Sequence, residues 1–148
     1  MVELIEGNIF NSSCQTLVNP VNTRGVMGGG LALAFKKKYP DMFAEYELLC
    51  RNGSLYIGVL HLYKGSTPWI LNFPTKDDYR FDSRLDYIET GLNVFVEKYA
   101  EWGITSIAFP ALGCGLGGLN FIHDDVLQLL LKYLKPLPIR VELYLPEE

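Results

Sequence analysis

The 148-residue chain has little of what metal sites and disulfide scaffolds require, with only three cysteines and two histidines. Cys14, Cys50 and Cys114 are widely spaced and form no CxxC pair, so the sequence predicts neither a disulfide framework nor a zinc site. His61 and His123 have no cysteine or aspartate partner at ligand spacing, and both are interpreted as structural. We therefore expect no metal and no cofactor.

The chain also lacks a long hydrophobic run and a surplus of basic residues. No apolar stretch approaches the roughly 20 residues that a membrane-spanning helix needs, and the N-terminal MVELIEGNIF does not have the layout of a signal peptide. These features predict a cytoplasmic protein with no membrane partner. Thirteen basic and seventeen acidic residues give a net charge of −4. General nucleic-acid binders carry a basic surplus, so contact with nucleic acid would have to occur at a local site.

What the chain does contain is an alternation of strand and helix patterns, within a length typical of one domain. We predict a single, monomeric domain over residues 1–148. Strand patterns bounded by Gly, Pro or Asn cover residues 2–7, 16–21, 58–63, 69–73, 104–109 and 139–145. Helical patterns cover residues 31–40, 41–53, 83–101 and 121–135. The alternation predicts an α/β fold, with a mixed sheet between layers of helices.

Acidic and hydroxyl residues mark the predicted starts of three helices. Asp41 is a predicted helix cap, and Ser83 and Asp86 stand at the spacing of a capping box. Asp124 and Asp125 fall in the predicted first turn of the last helix, where the helix dipole favours acidic residues.

Two glycine-rich loops each follow a predicted strand and precede a predicted helix. The first lies in VNPVNTRGVMGGG and the second in FPALGCGLGG. Glycine allows the backbone to approach a ligand closely, and the helix start behind it offers free N–H groups to an anion. One such loop is more often a tight turn, but two together suggest a pocket that holds a diphosphate. Neither loop has the pattern of a P-loop or of a dinucleotide-binding fold.

Two further residues have a chemical interpretation beside an ordinary one. Lys76 lies in WILNFPTKDDYR, after a strand pattern that stops at Pro74. On spacing alone, it is a solvated loop charge. Cys114 lies within the second glycine loop, but no histidine is placed in the sequence to activate it. We interpret Cys114 as a small residue in a tight loop.

The same segments resemble the macrodomain family, whose members bind ADP-ribose, and the match covers nearly the whole chain. VNPVNTRGVMGGG and FPALGCGLGGL are similar to the two phosphate loops of the family. NFPTKDDYR, SRLDYIETGL and PALGCGLGGL, in this order, resemble one branch, the DNA ADP-ribosyl glycohydrolase antitoxins of the DarT/DarG type. The resemblance implies a three-layer α/β/α fold with a mixed, mostly parallel central sheet and an ADP-ribose cleft above it.

The resemblance also implies the residues of the site. Lys76 matches the lysine that this branch uses for catalysis. Asn8 stands where many members have an aspartate that accepts the adenine amino group, and an asparagine can accept that bond without charge. Gly117 stands where a branch acting on protein carboxylates has an aspartate, which favours DNA as the substrate. The implied ADP-ribose contacts are Asn8, Ile9, Asn19, Asn22, Met27, Gly28, Gly29, Gly30, Thr75, Pro110, Leu112, Gly113, Cys114, Gly115, Leu116 and Gly117.

The activity implied is hydrolysis of the bond between the anomeric carbon of ADP-ribose and a base of single-stranded DNA. This would reverse the modification made by a DarT-like toxin, the implied protein partner. Lys76 would act either as a neutral nucleophile that forms a Schiff-base-type adduct or as a cation that stabilises the departing group. The sequence leaves both roles open.

Several alternatives also remain open at this point. Tyr79, Arg80 and Arg84 are candidates for contact with the DNA strand, and an ordinary lead into the next helix fits them equally well. The chain could instead be a non-catalytic ADP-ribose-binding module. It could also hydrolyse ADP-ribosylated protein, ADP-ribose phosphate or O-acetyl-ADP-ribose. Because the antitoxin branch usually carries a second domain, the chain is either an excised fragment or a stand-alone protein.

Overall fold

A computed structural model describes residues 1–146; the last two residues of the predicted domain, 147 and 148, lie outside them. The strands are β1 (Val2–Ile5), β2 (Thr16–Asn22), β3 (His61–Tyr63), β4 (Trp69–Lys76), β5 (Ser106–Phe109) and β6 (Arg140–Tyr144). The helices are α1 (Gly30–Lys38), α2 (Pro40–Arg51), α3 (Leu85–Lys98) and α4 (Val126–Leu134), with a short 3-10 helix at Ile9–Asn11. Within residues 1–146, no helix has both the length and the apolar composition that crossing a membrane requires.

The strands form one sheet in the order β1-β6-β5-β2-β4-β3. Every neighbouring pair is parallel except β3 and β4, which are antiparallel. The prediction of a mixed, mostly parallel sheet is therefore confirmed. Because β5, β2 and β4 are parallel neighbours, the segments that follow them all leave the sheet at one edge.

Consecutive residues of the central strands contribute to two separate hydrophobic layers. On one face, Val18 and Leu71 pack with α3 and α4. On the other face, Leu17 and Ile70 pack with α1 and α2. This follows from the two-residue period of a β-strand, which points successive side chains to opposite faces. The predicted three-layer α/β/α fold is confirmed.

The prediction that the fourth strand stops at Pro74 is wrong. Strand β4 continues through Pro74 to Lys76, pairing with β2 as far as Asn22. On its other side, the ladder with β3 ends where His61 pairs with Asn72. Proline lacks a backbone donor, but the β3 ladder requires none beyond Asn72, so the strand tolerates it. The extension carries Lys76 to the end of the sheet.

The predicted helix caps at Asp41 and Ser83 are also wrong. Helix α2 begins at Pro40, so Asp41 lies inside its first turn; proline suits the first helical position, where no backbone donor is needed. Helix α3 begins at Leu85, and its cap residue, Arg84, makes no capping side-chain bond. The hydroxyl of Ser83 is engaged elsewhere, by Thr75.

The last helix begins later than predicted. Helix α4 starts at Val126 and has no acidic residue in its first turn. Asp125 precedes it in a left-handed conformation, with a φ of 62°. Asp124 accepts a hydrogen bond from the backbone N–H of Asn120 at 2.6 Å, so it closes a turn in the preceding loop.

Candidate functional site

The predicted site residues converge on the edge of the sheet where the parallel strands end. The loop of residues 23–29 follows β2, residues 77–84 follow β4, and residues 110–118 follow β5. Asn8 and Ile9 follow β1, which is parallel to β6. The fold thus gathers at one edge four segments that are far apart in the sequence.

The first glycine loop is held in shape by Asn22. The side-chain carbonyl of Asn22 accepts the backbone N–H of Arg24 at 2.9 Å, and its amide donates to the carbonyl of Val26 at 2.7 Å. The hydroxyl of Tyr46, on α2, lies 2.7 Å from the backbone carbonyl of Asn22. Burial raises the pKa of Tyr46, so its hydroxyl stays protonated as a donor. Sequence reasoning missed Tyr46, because a tyrosine on the apolar face of a helix carries no functional signal.

The second glycine loop is attached to the end of β4 through Ser83. The backbone N–H of Ser83 donates to the carbonyl of Gly117 at 2.8 Å, and its hydroxyl lies 3.0 Å from that of Thr75. A Cβ atom at Gly117 would lie 2.4 Å from the carbonyl oxygen of Gly113 and 2.4 Å from the hydroxyl of Ser83. No side chain fits there without moving backbone.

Lys76 lies where the two glycine loops meet. Its ammonium group donates to the carbonyl of Leu116, in the second loop, at 3.4 Å. The side chain of Leu116 reaches the first loop, since a Cβ atom at Gly29 would lie 2.8 Å from Leu116 Cδ1 and one at Gly30 would lie 3.2 Å from it. Leu116 is itself 70% exposed. It is therefore a bridge between the loops that a bound ligand could displace.

A shallow depression of about 320 Å³ lies at the opposite, amino-terminal edge of the sheet. It is lined by residues 12–15 and 67–69 and contains none of the predicted site residues. Its lining includes no charged side chain. The predicted site residues lie in and beside the glycine loops and not in this depression. The two glycine loops approach each other closely at Leu116, which bridges them.

The two aspartates after Lys76 are occupied by other partners. Asp77 accepts a bond from the hydroxyl of Thr23 at 2.7 Å, which links the end of β4 to the first loop. Asp78 is almost fully buried and accepts two bonds from the guanidinium of Arg80, at 3.0 and 2.7 Å. These bonds hold the pKa of Asp78 well below its usual range. Within residues 1–146, Lys76 forms no ion pair with a carboxylate.

The predicted adenine end consists of Asn8 and Ile9. The side-chain carbonyl of Asn8 accepts the backbone N–H of Phe10 at 2.9 Å and caps the short 3-10 helix. Ile9 is buried beneath it. A carbonyl oxygen has two lone pairs, so the exposed Asn8 retains the capacity to accept a bond from an adenine amino group.

Some of the predicted ligand contacts lie beneath the site. Asn19 and Leu112 have no exposed surface, and Met27 is 1% exposed. The amide of Asn19 donates to the side chain of Asn72, on β4, at 3.0 Å. Asn19 and Leu112 therefore lie beneath the loops, and their contact with the ligand stays a prediction.

Cys114 and the histidines do not provide reactive groups. Burial, with a smaller contribution from the charge of Asp124, raises the pKa of the Cys114 thiol to about 11. A thiol with such a pKa stays protonated near neutral pH and is a poor nucleophile. Within the part of the chain that the structure describes, no group of three His, Cys, Asp or Glu side chains could hold a metal ion.

The three predicted DNA-contact residues lie on the segment that leads from Lys76 to α3. Tyr79 is 52% exposed. The guanidinium of Arg80 pairs with Asp78, whereas that of Arg84 pairs with Asp86 on α3 at 2.9 Å. The structure thus separates Arg80, which is anchored at the site, from Arg84, which belongs to the start of the helix.

Taken together, the fold and the loops define an α/β/α domain in which two backbone cradles flank a lysine at the carboxyl edge of a sheet. A family model described as the Macro domain matches residues 18–129. The chain therefore belongs to the macrodomain family, and its predicted membership is confirmed.

One curated relative and two solved structures are similar over almost the whole chain. A DNA ADP-ribosyl transferase-DNA ADP-ribosyl glycohydrolase fusion protein of Thermosipho africanus is 40% identical, over 99% of this chain and 42% of that protein. The solved structure of Thermosipho africanus DarTG in complex with ADP-ribose has a TM-score of 0.93 and 42% identity, covering 98% of this chain and 41% of that one. The macrodomain of Mycobacterium tuberculosis DarG has a TM-score of 0.93 and 39% identity, covering 99% of both chains.

The chain spans less than half the length of the DNA ADP-ribosyl glycohydrolases that it matches, 42% of the Thermosipho fusion protein and 34% of a DNA ADP-ribosyl glycohydrolase from Thermus aquaticus. By contrast, it spans nearly all of the isolated DarG macrodomain. The similarity thus lies in the macrodomain part of these proteins.

Proposed function

We propose that this chain binds ADP-ribose and removes it from bases of single-stranded DNA by hydrolysing the N-glycosidic bond. The observation that carries the proposal is the position of Lys76, held at the meeting point of two glycine loops. Relatives about 40% identical are named DNA ADP-ribosyl glycohydrolases, and one similar structure contains ADP-ribose.

The binding part of the proposal rests on the two loops. Their backbone N–H groups would hold the diphosphate, which is a common use of glycine loops and helix starts. Asn8 would receive the adenine amino group. The ribose that carries the reactive anomeric carbon would then lie toward the end of β4, beside Asn22 and Lys76.

Lys76 would act at the anomeric carbon in one of two ways. As a neutral amine, it forms a bond to that carbon while the carbon–base bond breaks and the base leaves with a proton. Water then releases ADP-ribose and restores the amine. As an ammonium ion, Lys76 instead stabilises negative charge on the departing base while water attacks. In either case, Asp77 and Asp78 do not compete for it, because Thr23 and the arginines occupy them.

DNA is the proposed substrate in preference to modified protein. A related branch acting on protein carboxylates has an aspartate at the position of Gly117, and the loop here has no room for a side chain. A DNA ADP-ribosyltransferase toxin is the proposed protein partner, since the Thermosipho relative is a fusion of the two activities by its name.

The test is a comparison of ADP-ribose binding with ADP-ribose release. We expect Lys76→Ala to keep its affinity for ADP-ribose within about threefold and to lose release from ADP-ribosylated single-stranded DNA by about 100-fold or more, the range of one positioned catalytic group. Release by Lys76→Ala at the wild-type rate would refute the catalytic role. Binding without release by the wild-type protein would identify a non-catalytic module.

A second measurement separates the two roles of Lys76. Lys76→Arg keeps a positive charge but cannot form a Schiff base. Substantial activity in Lys76→Arg indicates the electrostatic role. Loss of activity, together with trapping of a Lys76 adduct by cyanoborohydride during turnover, indicates the covalent role.

A further inference from the structure

A single buried carboxylate, two residues beyond Lys76, holds two arginines from different loops. Asp78 is 1% exposed. It accepts Nε and Nη2 of Arg80 at 3.0 and 2.7 Å, and Nε of Arg24 lies 3.5 Å away. The backbone N–H of Arg80 also donates to Asp78 at 2.9 Å. Asp78 thus fixes one guanidinium on the segment after β4 and another on the first glycine loop.

The two guanidinium groups are anchored but not covered. The side chains of Arg24 and Arg80 are 57% and 66% exposed. Arginine has five N–H donors, so each retains donors that Asp78 does not use. Because Asp78 is buried, the two guanidinium groups around it are the charges that this cluster presents at the surface. Arginines that are held in place and retain unused N–H donors suit a phosphate group, which accepts hydrogen bonds from two directions.

Two exposed aromatic rings flank the same arginine. Tyr79 is 52% and Phe81 is 65% exposed, among the largest exposures of aromatic side chains in the described residues. The guanidinium carbon of Arg80 lies 5.8 Å from the ring centre of Tyr79 and 6.0 Å from that of Phe81. Exposed rings interleaved with positive charge are the arrangement by which proteins bind unpaired nucleotides through stacking and phosphate contact.

We propose that Asp78 is a positioning residue that aims Arg24 and Arg80 at a phosphodiester of single-stranded DNA, while Phe81 and Tyr79 stack on the bases beside it. This inference rests on the proposed function, since it assigns the path of the strand away from Lys76. It adds Arg24 and Phe81 to the predicted contact residues, with Asp78 as the buried residue that positions the two arginines. Arg84 pairs with Asp86 on α3, away from Asp78, and is not part of this inference.

The experiment compares two substrates that share the modified base, an ADP-ribosylated oligonucleotide and the ADP-ribosylated mononucleoside. The mononucleoside has no phosphodiester and no neighbouring base. We expect Arg24→Gln, Arg80→Gln and Phe81→Leu to lower kcat/KM for the oligonucleotide and to leave the mononucleoside rate and ADP-ribose affinity unchanged. For Phe81→Leu the expected loss is about fivefold or more, the lower end for one stacked base.

Salt dependence provides a quantitative check on the arginines. Each phosphate contact with a single strand contributes about 0.7 to the slope of log affinity against log salt. We expect the slope for the unmodified oligonucleotide to fall by about 0.7 when Arg24→Gln and Arg80→Gln are combined, because together they remove the contact with one phosphodiester. Lys98→Gln, which removes one exposed charge at the far end of α3, is the matched control and should leave the slope unchanged.

Asp78→Asn tests the positioning role, because it keeps a side-chain acceptor but weakens the hold on both arginines. We expect it to lower oligonucleotide affinity even though both guanidinium charges remain, with ADP-ribose affinity retained. If Asp78→Asn fails to fold, the two arginine variants and Phe81→Leu still decide the question.

The outcomes separate this inference from the proposed function. Equal losses on the oligonucleotide and the mononucleoside, or an unchanged salt slope, overturn the inference while hydrolysis stands. No binding of the unmodified oligonucleotide by the wild-type protein also overturns it. Binding that depends on Arg24 and Arg80, in a protein that releases no ADP-ribose from DNA, supports the strand site and refutes the proposed hydrolysis.

Discussion

Lys76 and Gly117 show how single residues depend on neighbours that are distant in the sequence. The ammonium of Lys76 is placed by a carbonyl at Leu116, 40 positions away in the chain, and by the pairing of Asp77 with Thr23. Gly117 lies against the carbonyl of Gly113 and the hydroxyl of Ser83, so its lack of a side chain is a requirement of packing. At both positions, the closely packed neighbouring atoms determine which side chain the structure can accommodate.

Gly117→Ala should destabilise the ligand-free protein. The added Cβ would lie 2.4 Å from the Gly113 carbonyl oxygen, so backbone must move, at a cost of about 1–3 kcal/mol for overpacking. Urea unfolding of the variant and the wild type measures the difference. Gly115→Ala is the control, because a Cβ at Gly115 meets no atom within 4 Å. Equal stability of the two variants would contradict the packing account.

Helix α2 and the strands support the site through hydrogen bonds that lie beneath the first glycine loop. Tyr46 of α2 donates to the end of β2 at Asn22. A buried polar chain runs from Asn19 on β2, through Asn72 on β4, to His61 on β3, with steps of 3.0 and 3.0 Å. His61 continues it to Glu45 on α2 at 3.1 Å. These bonds fix how three strands and a helix sit beneath the first glycine loop.

Tyr46→Phe should weaken both the fold and the first loop. It removes the hydroxyl that lies 2.7 Å from the Asn22 carbonyl in a buried setting, for an expected loss of about 1 kcal/mol. We also expect weaker ADP-ribose binding, measured by calorimetry, because the loop loses its brace. Tyr56→Phe, at a tyrosine that is 60% exposed, should change neither quantity.

The polar chain predicts that stability falls in mild acid. Burial lowers the pKa of His61 from 6.5, with Glu45 opposing, so the folded state favours the neutral ring. The unfolded chain then binds more protons below pH 6.5. The contribution of the neutral His61 ring to the free energy of unfolding should be complete above pH 6.5. Below pH 6.5 it should decline, by at most about 1.4 kcal/mol per pH unit, until the pH reaches the pKa of His61 in the folded state.

Urea unfolding between pH 5 and 7 measures this dependence, ahead of most carboxylate titration. His61→Asn should flatten the decline. An unchanged slope in His61→Asn would mean that another group causes the acid sensitivity.

The whole molecule places four separate segments at one edge of a sheet, and Leu116 of the second glycine loop lies against Gly29 and Gly30 of the first. A ligand that binds only this folded arrangement must stabilise it. We expect the melting temperature to rise with the logarithm of the ADP-ribose concentration. At an ADP-ribose concentration of 100 times Kd, the free energy of unfolding should be higher by about 2.7 kcal/mol. ADP, which lacks the distal ribose, should stabilise less at equal concentration. If ADP-ribose and ADP raise the melting temperature equally, the distal ribose makes no favourable contact.

The sequence alone determined the layers, the sheet and the two glycine loops. The strand patterns at residues 16–21 and 69–73 are mostly apolar, as expected for strands buried on both faces, and glycine clusters after strands signal close backbone approach to a ligand; both are local patterns. Residue-by-residue resemblance also singled out Lys76. The helix start at Asp41 was predicted wrongly because Pro40 takes the first helical position, and the cap at Ser83 was predicted wrongly because its hydroxyl pairs with Thr75 instead.

Only the tertiary structure decided which side chains face the ligand and which support the loops. Asn19 and Asn22 lie three residues apart in one strand, yet Asn19 is bonded to Asn72 across the sheet, while Asn22 shapes the first loop. It likewise showed that Asp78 binds Arg24 and Arg80 and leaves Lys76 free. Such assignments depend on distances between residues remote in the chain, which local patterns do not contain. The macrodomain could be read from the sequence, but the arrangement of its polar groups required the fold.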